Sequence, residues 1–385
     1  MNGRSKIPNL PEDIVNCILL ELPVKSLSRF KSCCKSWRCS IDDADFIKFH
    51  LHKSSVDTSR QKFVFLNVNP QGETRQYKIV SIEASISGDS KFVYLDEPNI
   101  PGFCSNYKYI EVLSCSGLVF MMAYDPGYNM TLWNPAVGKY YKLIPNSLLS
   151  QKYFNPFSTS PVFGFAYDFV AEDYKVLCVH LYLKNDSLRH PRYFVEVYSV
   201  KNQCWRTIHN IFPGPSDPLP PHIYHDQVSL NGVIHRIAYN WTIHMIISFH
   251  LADEKFIVTP VPSTCGIKPT LYALGDRVCV LATVGEEILI WSPEKDSKTV
   301  WNCINKFPTL VSLIGKPSHS LSFAGNFMCV KDNGNILWRK LEGPFIEYDV
   351  RKNEYTEFKV TQVGDFIAKK ALYVESLVSL KIPWD

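Results

Sequence analysis

His222, His225 and Asp226 are the residues whose types and spacing come closest to a metal site. Imidazoles and carboxylates are ligands that zinc accepts, but zinc needs three or four of them on a fixed frame. These three lie beside the proline-rich stretch 212–222, and neither a helix nor paired strands are predicted around them. We therefore predict an ordinary surface loop here, and the sequence predicts no metal and no cofactor.

A reactive thiol is a second chemical possibility, because Cys33 and Cys34 are adjacent and a thiolate can carry a transferred group covalently. Cys34, however, falls on an apolar stripe with Phe30 and Trp37, which favours core packing. The chain also contains no nucleophile elbow, Walker phosphate loop or dinucleotide-binding glycine pattern. The sequence therefore predicts a non-catalytic protein.

A helical hook over residues 10–51 surrounds these cysteines. Pro11 suits a first helical turn, and Ile14, Ile18 and Leu22 recur at i, i+4 and i+8 until Pro23 stops the helix. A second helix is predicted to carry four apolar residues at spacings of three, four and three: Leu27, Phe30, Cys34 and Trp37. The hook has an apolar face that it cannot bury alone, so it needs a partner surface.

This pattern, with Leu-Pro-x-Asp-Ile, Leu-Pro-Val-Lys-Ser-Leu-x-Arg-Phe and Cys-Lys-Ser-Trp, resembles the F-box of plant F-box proteins. The resemblance implies an F-box over residues 1–55 that docks on the Skp-family adaptor of a cullin–RING ubiquitin ligase. The residues implied to bind the adaptor are Leu10, Pro11, Ile14, Ile18, Leu22, Pro23, Leu27, Phe30, Cys34 and Trp37. The alternative is a helical cap packed on its own domain.

The composition limits the compartment and the partners. A net charge of +4 dispersed over 385 residues is too small for a nucleic-acid surface, which needs clustered basic residues. No apolar run approaches the roughly 20 residues that span a bilayer, and residues 1–6 lead into no signal-peptide pattern. We expect an intracellular protein, in the cytoplasm or nucleus, without membrane or nucleic-acid partners. Its twelve cysteines are then expected to be free and buried.

From about residue 61 onward, aromatic pairs seven residues apart flank polar turns. The pairs are Trp133 and Tyr140, Tyr198 and Trp205, Phe249 and Phe256, and Tyr348 and Tyr355. An aromatic that leaves one strand and another that enters the next predict an outer β-hairpin. Trp291 and Trp301 predict a fifth hairpin with a longer turn, and apolar runs upstream of each hairpin predict buried inner strands.

Two inner and two outer strands in each unit indicate the blade of a β-propeller. About 330 residues follow the hook, enough for roughly six blades of about 55 residues. The sixth blade would combine strands near residues 61–95 with the run 371–380, so that both chain ends close the ring. We predict a mixed fold, a small all-α F-box followed by a large all-β domain over 56–385, a six-bladed β-propeller. The alternative is a pair of β-sandwiches.

Two blocks of the β-domain are similar to the type 1 F-box-associated domain. They are Leu132-Trp-Asn-Pro-Ala-Val-Gly-Lys, preceded by Leu113-Ser-Cys-Ser-Gly-Leu-Val, and Phe163-Gly-Phe-Ala-Tyr-Asp, followed by Asp173-Tyr-Lys-Val. The double glycine of a strict kelch repeat is absent. With the F-box, the resemblance covers most of the chain.

Together the two resemblances imply the substrate-recognition subunit of a Skp–cullin–F-box E3 ubiquitin ligase, which recruits a target protein for degradation. The alternatives are an F-box scaffold or sequestering protein outside a ligase, and a propeller-type enzyme with an appended helical module. Long loops at 151–160, 212–222 and 263–269 are expected to bind the target. The aromatic candidates on or near them are Tyr153, Phe154, Phe157 and Tyr224.

Overall fold

The computed structural model describes most of the helical hook and the β-strands, but not every connection between them. The described ranges are 10–57, 60–69, 76–83, 109–124, 128–145, 161–183, 191–209, 222–240, 243–262, 264–265, 269–294, 297–309, 327–331, 333–339, 344–358 and 367–380. Three candidate target-binding residues, Tyr153, Phe154 and Phe157, lie outside these ranges.

Four helices form the hook: α1 Glu12–Leu20, α2 Val24–Phe30, α3 Lys35–Asp42 and α4 Ala44–Val56. Pro11 and Pro23 occupy the N-cap positions of α1 and α2, where a missing N–H costs nothing. Asp43 caps α4, because its carboxylate accepts hydrogen bonds from two backbone N–H groups of the first turn, at 3.0 and 3.1 Å. The helix predicted through Phe30, Cys34 and Trp37 is in fact two helices, since α2 ends at Phe30.

The rest of the described chain is all β. In chain order the strands are β1 Gln61–Asn69, β2 Gln76–Glu83, β3 Tyr109–Cys115, β4 Leu118–Tyr124, β5 Tyr128–Asn134, β6 Lys139–Leu143, β7 Val162–Asp168, β8 Asp173–Leu183, β9 Pro191–Ser199, β10 Cys204–Ile208, β11 His222–Leu230, β12 Val233–Tyr239, β13 His244–His250, β14 Lys255–Pro260, β15 Thr270–Leu274, β16 Arg277–Val284, β17 Glu287–Glu294, β18 Ser297–Pro308, β19 Phe327–Val330, β20 Ile336–Arg339, β21 Phe345–Asp349, β22 Glu354–Phe358 and β23 Ile367–Val374. The predicted all-β domain after the helices is confirmed.

Strands β3 to β22 form five antiparallel four-stranded sheets in chain order, in a propeller arrangement. The inner strands of successive sheets lie beside one another, as β3 does beside β7 and β7 beside β11. A sixth, three-stranded sheet has the order β2-β1-β23 and joins the two ends of the β-domain. The last run was predicted to be strand from 371 to 380, but β23 ends at Val374 and residues 375–380 leave the sheet.

The predicted aromatic hairpins are confirmed pair by pair. Trp133 lies directly opposite Tyr140, and the same pairing joins the other three predicted couples, Tyr198 with Trp205, Phe249 with Phe256 and Tyr348 with Tyr355. The rings of Tyr198 and Trp205 and those of Phe249 and Phe256 are tilted, with centroids 5.2 and 4.6 Å apart, and such contacts stabilise the strand pair. In the sheet of β15 to β18 the register shifts, so that Trp291 faces Cys303 and Trp301 faces Pro293.

The two ends of the ring differ in their connections. Because neighbouring strands are antiparallel, the turns after the first and third strands of each four-stranded sheet share one end, which we call the helix face. These turns are short, as at 116–117, 135–138 and 231–232. The connections after the fourth strands, such as 144–161, 209–221 and 309–326, start and finish at the opposite end, which we call the far face.

Candidate functional site

Helix α1 has two apolar sides, and only one of them is covered. Leu19 is buried in the helical cluster, whereas the side chains on the other side remain in solvent. We call these exposed residues the docking stripe: Leu10, Ile14 and Ile18, which are 61%, 47% and 49% exposed. Three large aliphatic side chains in a row at a spacing of four form an apolar ridge that a protein partner would cover.

The other predicted adaptor-binding residues range from exposed to fully buried. Pro11 and Pro23 are exposed at the helix N-caps, and Leu22, Phe30 and Trp37 are half-buried against the helical cluster. The rings of Phe30 and Trp37 meet at 5.3 Å between centroids. Leu27 is 0% exposed, so it supports the shape of the hook from inside. Contact of these residues with an adaptor stays a prediction.

The prediction that Cys34 packs in the core is wrong. It is exposed, because α3 begins at Lys35 and Cys34 is its N-cap, where the sulfur accepts a hydrogen bond from the N–H of Trp37 at 3.5 Å. Hydrogen bonds from the Ser36 hydroxyl and from that N–H lower the pKa of the Cys34 thiol. Within the ranges described, the cysteines are free, but many are exposed and fully buried ones are confined to the β-domain: Cys178, Cys279 and Cys329.

The segment that follows β23 packs into the helical hook. After β23, Leu377 is 3% exposed and belongs to the same apolar cluster as helix residues. The other buried members of that cluster are Leu19, Val24, Leu27, Ile41 and Phe46. We call residues 375–378 the C-terminal clasp, because they lie between the helices and the ring.

Asn134 holds the clasp from the ring side. Its side-chain amide is fully buried and donates to the carbonyl oxygens of Ser376 and Val378, at 3.0 and 2.8 Å. The Ser376 hydroxyl in turn donates to the carbonyl oxygen of Gly117 at 3.0 Å. Gly117 has φ +80, and a Cβ built on it would lie 2.3 Å from the Ser376 Cβ and 3.3 Å from Leu51 Cδ1. A turn of the ring, helix α4 and the clasp therefore meet at Gly117.

These contacts give a physical role to the sequence blocks that resemble a family. Gly117 and Asn134 come from the first block, and Tyr174, from the second, donates its hydroxyl to the carbonyl oxygen of Ser116 at 2.6 Å. Asp168 closes the turn after β7 by accepting from the N–H of Val170 at 2.9 Å and from Lys175 at 2.6 Å. The sequence identified the blocks but not this role, since the partner segment lies more than two hundred residues away.

A buried charged network crosses the ring between β3, β12 and β23. The Glu111 carboxylate accepts from Arg236 at 3.3 Å and from Lys369 at 3.1 Å. Arg236 also donates to the carbonyl oxygens of Tyr224, at 3.0 Å, and Phe163. Paired charges of this kind compensate one another's desolvation, so the network ties strand β23 to the ring.

Tyr224 lies on β11 near the same network. Its side chain is half-buried, its hydroxyl lies 3.3 Å from Nε2 of His244, and burial raises its pKa. The prediction of a surface loop at 222–226 is wrong, because His222 and Asp226 belong to strand β11. No cluster of three or more His, Cys, Asp or Glu side chains that could hold a metal is found among the residues described.

Two family models match the chain, one to each part. Residues 7–49 match the F-box domain, and residues 72–380 match the F-box associated beta propeller domain. An F-box/kelch-repeat protein of Arabidopsis thaliana is 28% identical over 80% of this chain and 81% of its own length. An F-box protein of the same plant is 24% identical over 98% of this chain and 97% of its own length.

Solved structures resemble the chain more distantly. TolB from Acinetobacter baumannii aligns over 86% of this chain and 73% of its own, with 9% identity and a TM-score of 0.46. A chain of the nidogen/laminin complex aligns over 82% of this chain and 99% of its own, with 11% identity and a TM-score of 0.46. Within the ranges described, no helix is both long and apolar enough to cross a membrane.

Proposed function

Since the chain belongs to the plant F-box proteins that carry an F-box associated beta propeller domain, we propose that it is the substrate-recognition subunit of a Skp–cullin–F-box ubiquitin ligase. F-box domains bind Skp-type adaptors of cullin–RING ligases. The propeller would hold a target protein while the adaptor brings the ligase. Such a receptor needs no catalytic residue of its own, because it acts by raising the effective concentration of the target near the ubiquitin-charged enzyme.

The docking stripe is the observation that carries this proposal. A helical cap that served only its own domain would turn its apolar residues inward, as Leu19 does. Ile14 and Ile18 instead leave about half of their side chains in water, on the helix that begins the F-box match. Covering them with a partner would remove this apolar surface from water, which favours binding.

The far face is the proposed target-binding surface. The candidate stretches 151–160 and 263–269 fall within connections that follow fourth strands, and 212–222 covers most of a third such connection and the first residue of β11. These connections start and finish at strand ends opposite the helices. A target held there would leave the adaptor free to dock on the helices. We also propose that the three-stranded sheet is a sixth blade of the ring, because β23 lies beside the inner strand β3 and pairs with β1.

The proposal includes an intracellular location, in the cytoplasm or nucleus, where the cullin–RING machinery operates. An F-box protein acting outside a ligase would bind the adaptor but not recruit the cullin. Co-purification of the cullin with the full chain and the adaptor therefore separates the two possibilities.

Substitution of Ile14 by Asp tests adaptor docking directly. A charge in the centre of an apolar interface should weaken adaptor binding by at least about thirtyfold, measured by calorimetry, with the melting temperature unchanged. Val56→Asp is the control, because Val56 is also an exposed aliphatic residue, 73% exposed against 47% for Ile14, but lies on α4, outside the F-box match. Undiminished binding by Ile14→Asp would contradict the proposal.

A further inference from the structure

The helices contact the ring in several places, and these contacts differ in strength. Lys48 of α4 pairs with Glu172 of the β7–β8 turn at 2.7 Å, but both side chains are more than half exposed. Exposed ion pairs contribute little to stability. Ala136 and Val137, in the β5–β6 turn, and Leu377 instead pack against the apolar cluster of the helices. Of these, Leu377 is the large, fully buried side chain.

The clasp is also fixed on the ring side. Asn134 donates to two of its carbonyl oxygens, and Ser376 is itself 0% exposed. Glu375 accepts from Lys62 of β1 at 2.5 Å, with both side chains largely buried. A short segment that is held by buried polar bonds on one side and inserts an apolar side chain on the other cannot shift without breaking both sets of contacts.

We propose that the C-terminal clasp sets the orientation of the F-box helices on the ring and thereby directs ubiquitin to particular lysines of a target bound at the far face. This inference rests on the proposed function. Leu377 is then a positioning residue. It contacts neither adaptor nor target, but it fixes the orientation of the helices that bind the adaptor relative to the ring that holds the target. A loosely tethered helical hook would bind the adaptor equally well and present the target over a wide range of directions.

Hydrogen exchange on the free full-length chain tests the clasp without any partner. Leu377→Ala leaves a cavity in the helical cluster, so amides of α2 and α4 should exchange about thirtyfold faster or more. Leu380→Ala is the matched control, because Leu380 lies two residues beyond the clasp and is half-buried, but packs against the β3–β10 side of the ring. Equal protection of the helices in both variants would overturn the inference. Leu377→Val, a milder truncation, should give an intermediate rate and serves if Leu377→Ala does not fold.

Ubiquitin transfer to a defined probe tests orientation itself. The turn after β16 lies on the far face, and a Cβ at Gly285 would meet nothing within 4 Å, so a short epitope can be inserted there. An epitope-binding nanobody with several lysines then serves as the target in a reconstituted reaction with adaptor, cullin–RING ligase and charged conjugating enzyme. The modified lysines are mapped by mass spectrometry.

The wild-type and Leu380→Ala chains should modify the same small set of nanobody lysines. Leu377→Ala should spread modification over more lysines and slow the transfer several-fold, while its affinities for adaptor and nanobody stay unchanged. A purely stabilising role of Leu377 would lower the yield without changing the distribution, and that result would overturn the inference. If the wild-type chain does not bind the adaptor, the proposed function is wrong, and so is the role of the clasp in directing ubiquitin. The hydrogen-exchange experiment needs no adaptor and still decides whether the clasp holds the helices.

Discussion

Asn134 donates its side-chain amide to the carbonyl oxygen of Ser376 at 3.0 Å, across 242 residues of chain. The same nitrogen reaches the carbonyl oxygen of Val378 at 2.8 Å, and the Asn134 side-chain oxygen accepts from the N–H of Ala136 at 3.0 Å. One buried amide therefore organises its own turn and the end of the chain together. Its donors and its acceptor are both in use, so neither an acid nor an apolar residue can replace it.

Asn134→Asp should destabilise the protein although the shape of the side chain is retained. A carboxylate cannot donate to the two carbonyl oxygens, and it is repelled by them in a buried site, which should cost about 2 kcal/mol or more. The free energy of unfolding in urea measures this loss. Asn129→Asp, on the same strand but half-buried, is the control. Equal stability of the two variants would show that the clasp contributes nothing to folding.

Gly117→Ala should lower the free energy of unfolding much more than Gly138→Ala does. Both glycines have positive φ, +80 and +68, so both variants pay a similar backbone penalty of about 1 kcal/mol. A Cβ at Gly117 would also overlap Ser376, whereas a Cβ at Gly138 meets nothing within 4 Å. Urea unfolding of the two variants gives the difference. A cost at Gly117 no larger than that at Gly138 would mean that the clasp moves aside freely.

The aromatic hairpins could be predicted from sequence because both partners of each pair lie seven residues apart, within one local structure. The position of Cys34 could not, because the spacing from Leu27 to Trp37 continues a helical pattern across the turn 31–33, where the chain leaves α2. Local periodicity does not reveal such a break when the residues on both sides of it are apolar at helical intervals.

The clasp shows why the end of the chain was predicted to be strand. Ser376 and Val378 face the ring while Leu377 faces the helices, so the surface that each side chain contacts alternates with the period of a strand. An alternating sequence pattern shows that the segment contacts two different surfaces. It does not show that one of those surfaces is the helical hook rather than a neighbouring strand. The docking stripe was recognisable because Leu10, Ile14 and Ile18 recur at a spacing of four, from the residue before the N-cap into α1. Which apolar residues of α1 are covered could not be predicted, because Leu19 is buried by the packing of the helical cluster.

Deletion of residues from 367 onward should destabilise the whole β-domain. It removes the antiparallel partner of β1 and Lys369, which contacts Glu111 in the charged network. An exposed strand edge and an undercompensated buried carboxylate both favour unfolding or aggregation. A chain that ends at residue 380 is the control in thermal melting followed by near-UV circular dichroism. An unchanged melting temperature of the shorter chain would contradict closure of the ring by β23.

His50 should make the helical hook sensitive to mild acid. It is buried in the hook, with Nε2 2.9 Å from the carbonyl oxygen of Leu22, and burial lowers its pKa below the ordinary value of 6.5. The unfolded chain therefore binds a proton on His50 before the folded chain does, so stability falls as the pH drops through about 6.5 and below. Carboxyl groups with a lowered pKa, such as that of Asp168, lose their contribution to folding stability only at lower pH.

Melting temperatures of the wild type and His50→Gln at pH 7.5 and 5.5 measure this effect. Glutamine can keep a hydrogen bond to the Leu22 carbonyl but does not titrate. The wild type should lose more stability than His50→Gln between the two pH values. A parallel loss in both proteins would assign the acid sensitivity to other groups, of which His244 is one, since burial lowers its pKa as well.

Cys34 should react with iodoacetamide in the free protein and be protected in the adaptor complex. The thiol is exposed and its pKa is lowered, which favours the reactive thiolate. Cys204, exposed on β10 far along the chain from the hook, is the control that should stay reactive in both states. Alkylation rates for each site come from mass spectrometry. Equal reactivity of Cys34 with and without the adaptor would remove it from the contact surface.

Insertion of Leu377 into the helical cluster also has a consequence during synthesis. The ribosome adds about 5–20 residues per second, so the first helices emerge well before the segment that completes their core. Until then a nascent F-box exposes the site that Leu377 will fill in addition to the docking stripe. An aberrant chain that stops early would keep this site open, so a chaperone or quality-control factor that binds apolar surface would distinguish unfinished from finished chains.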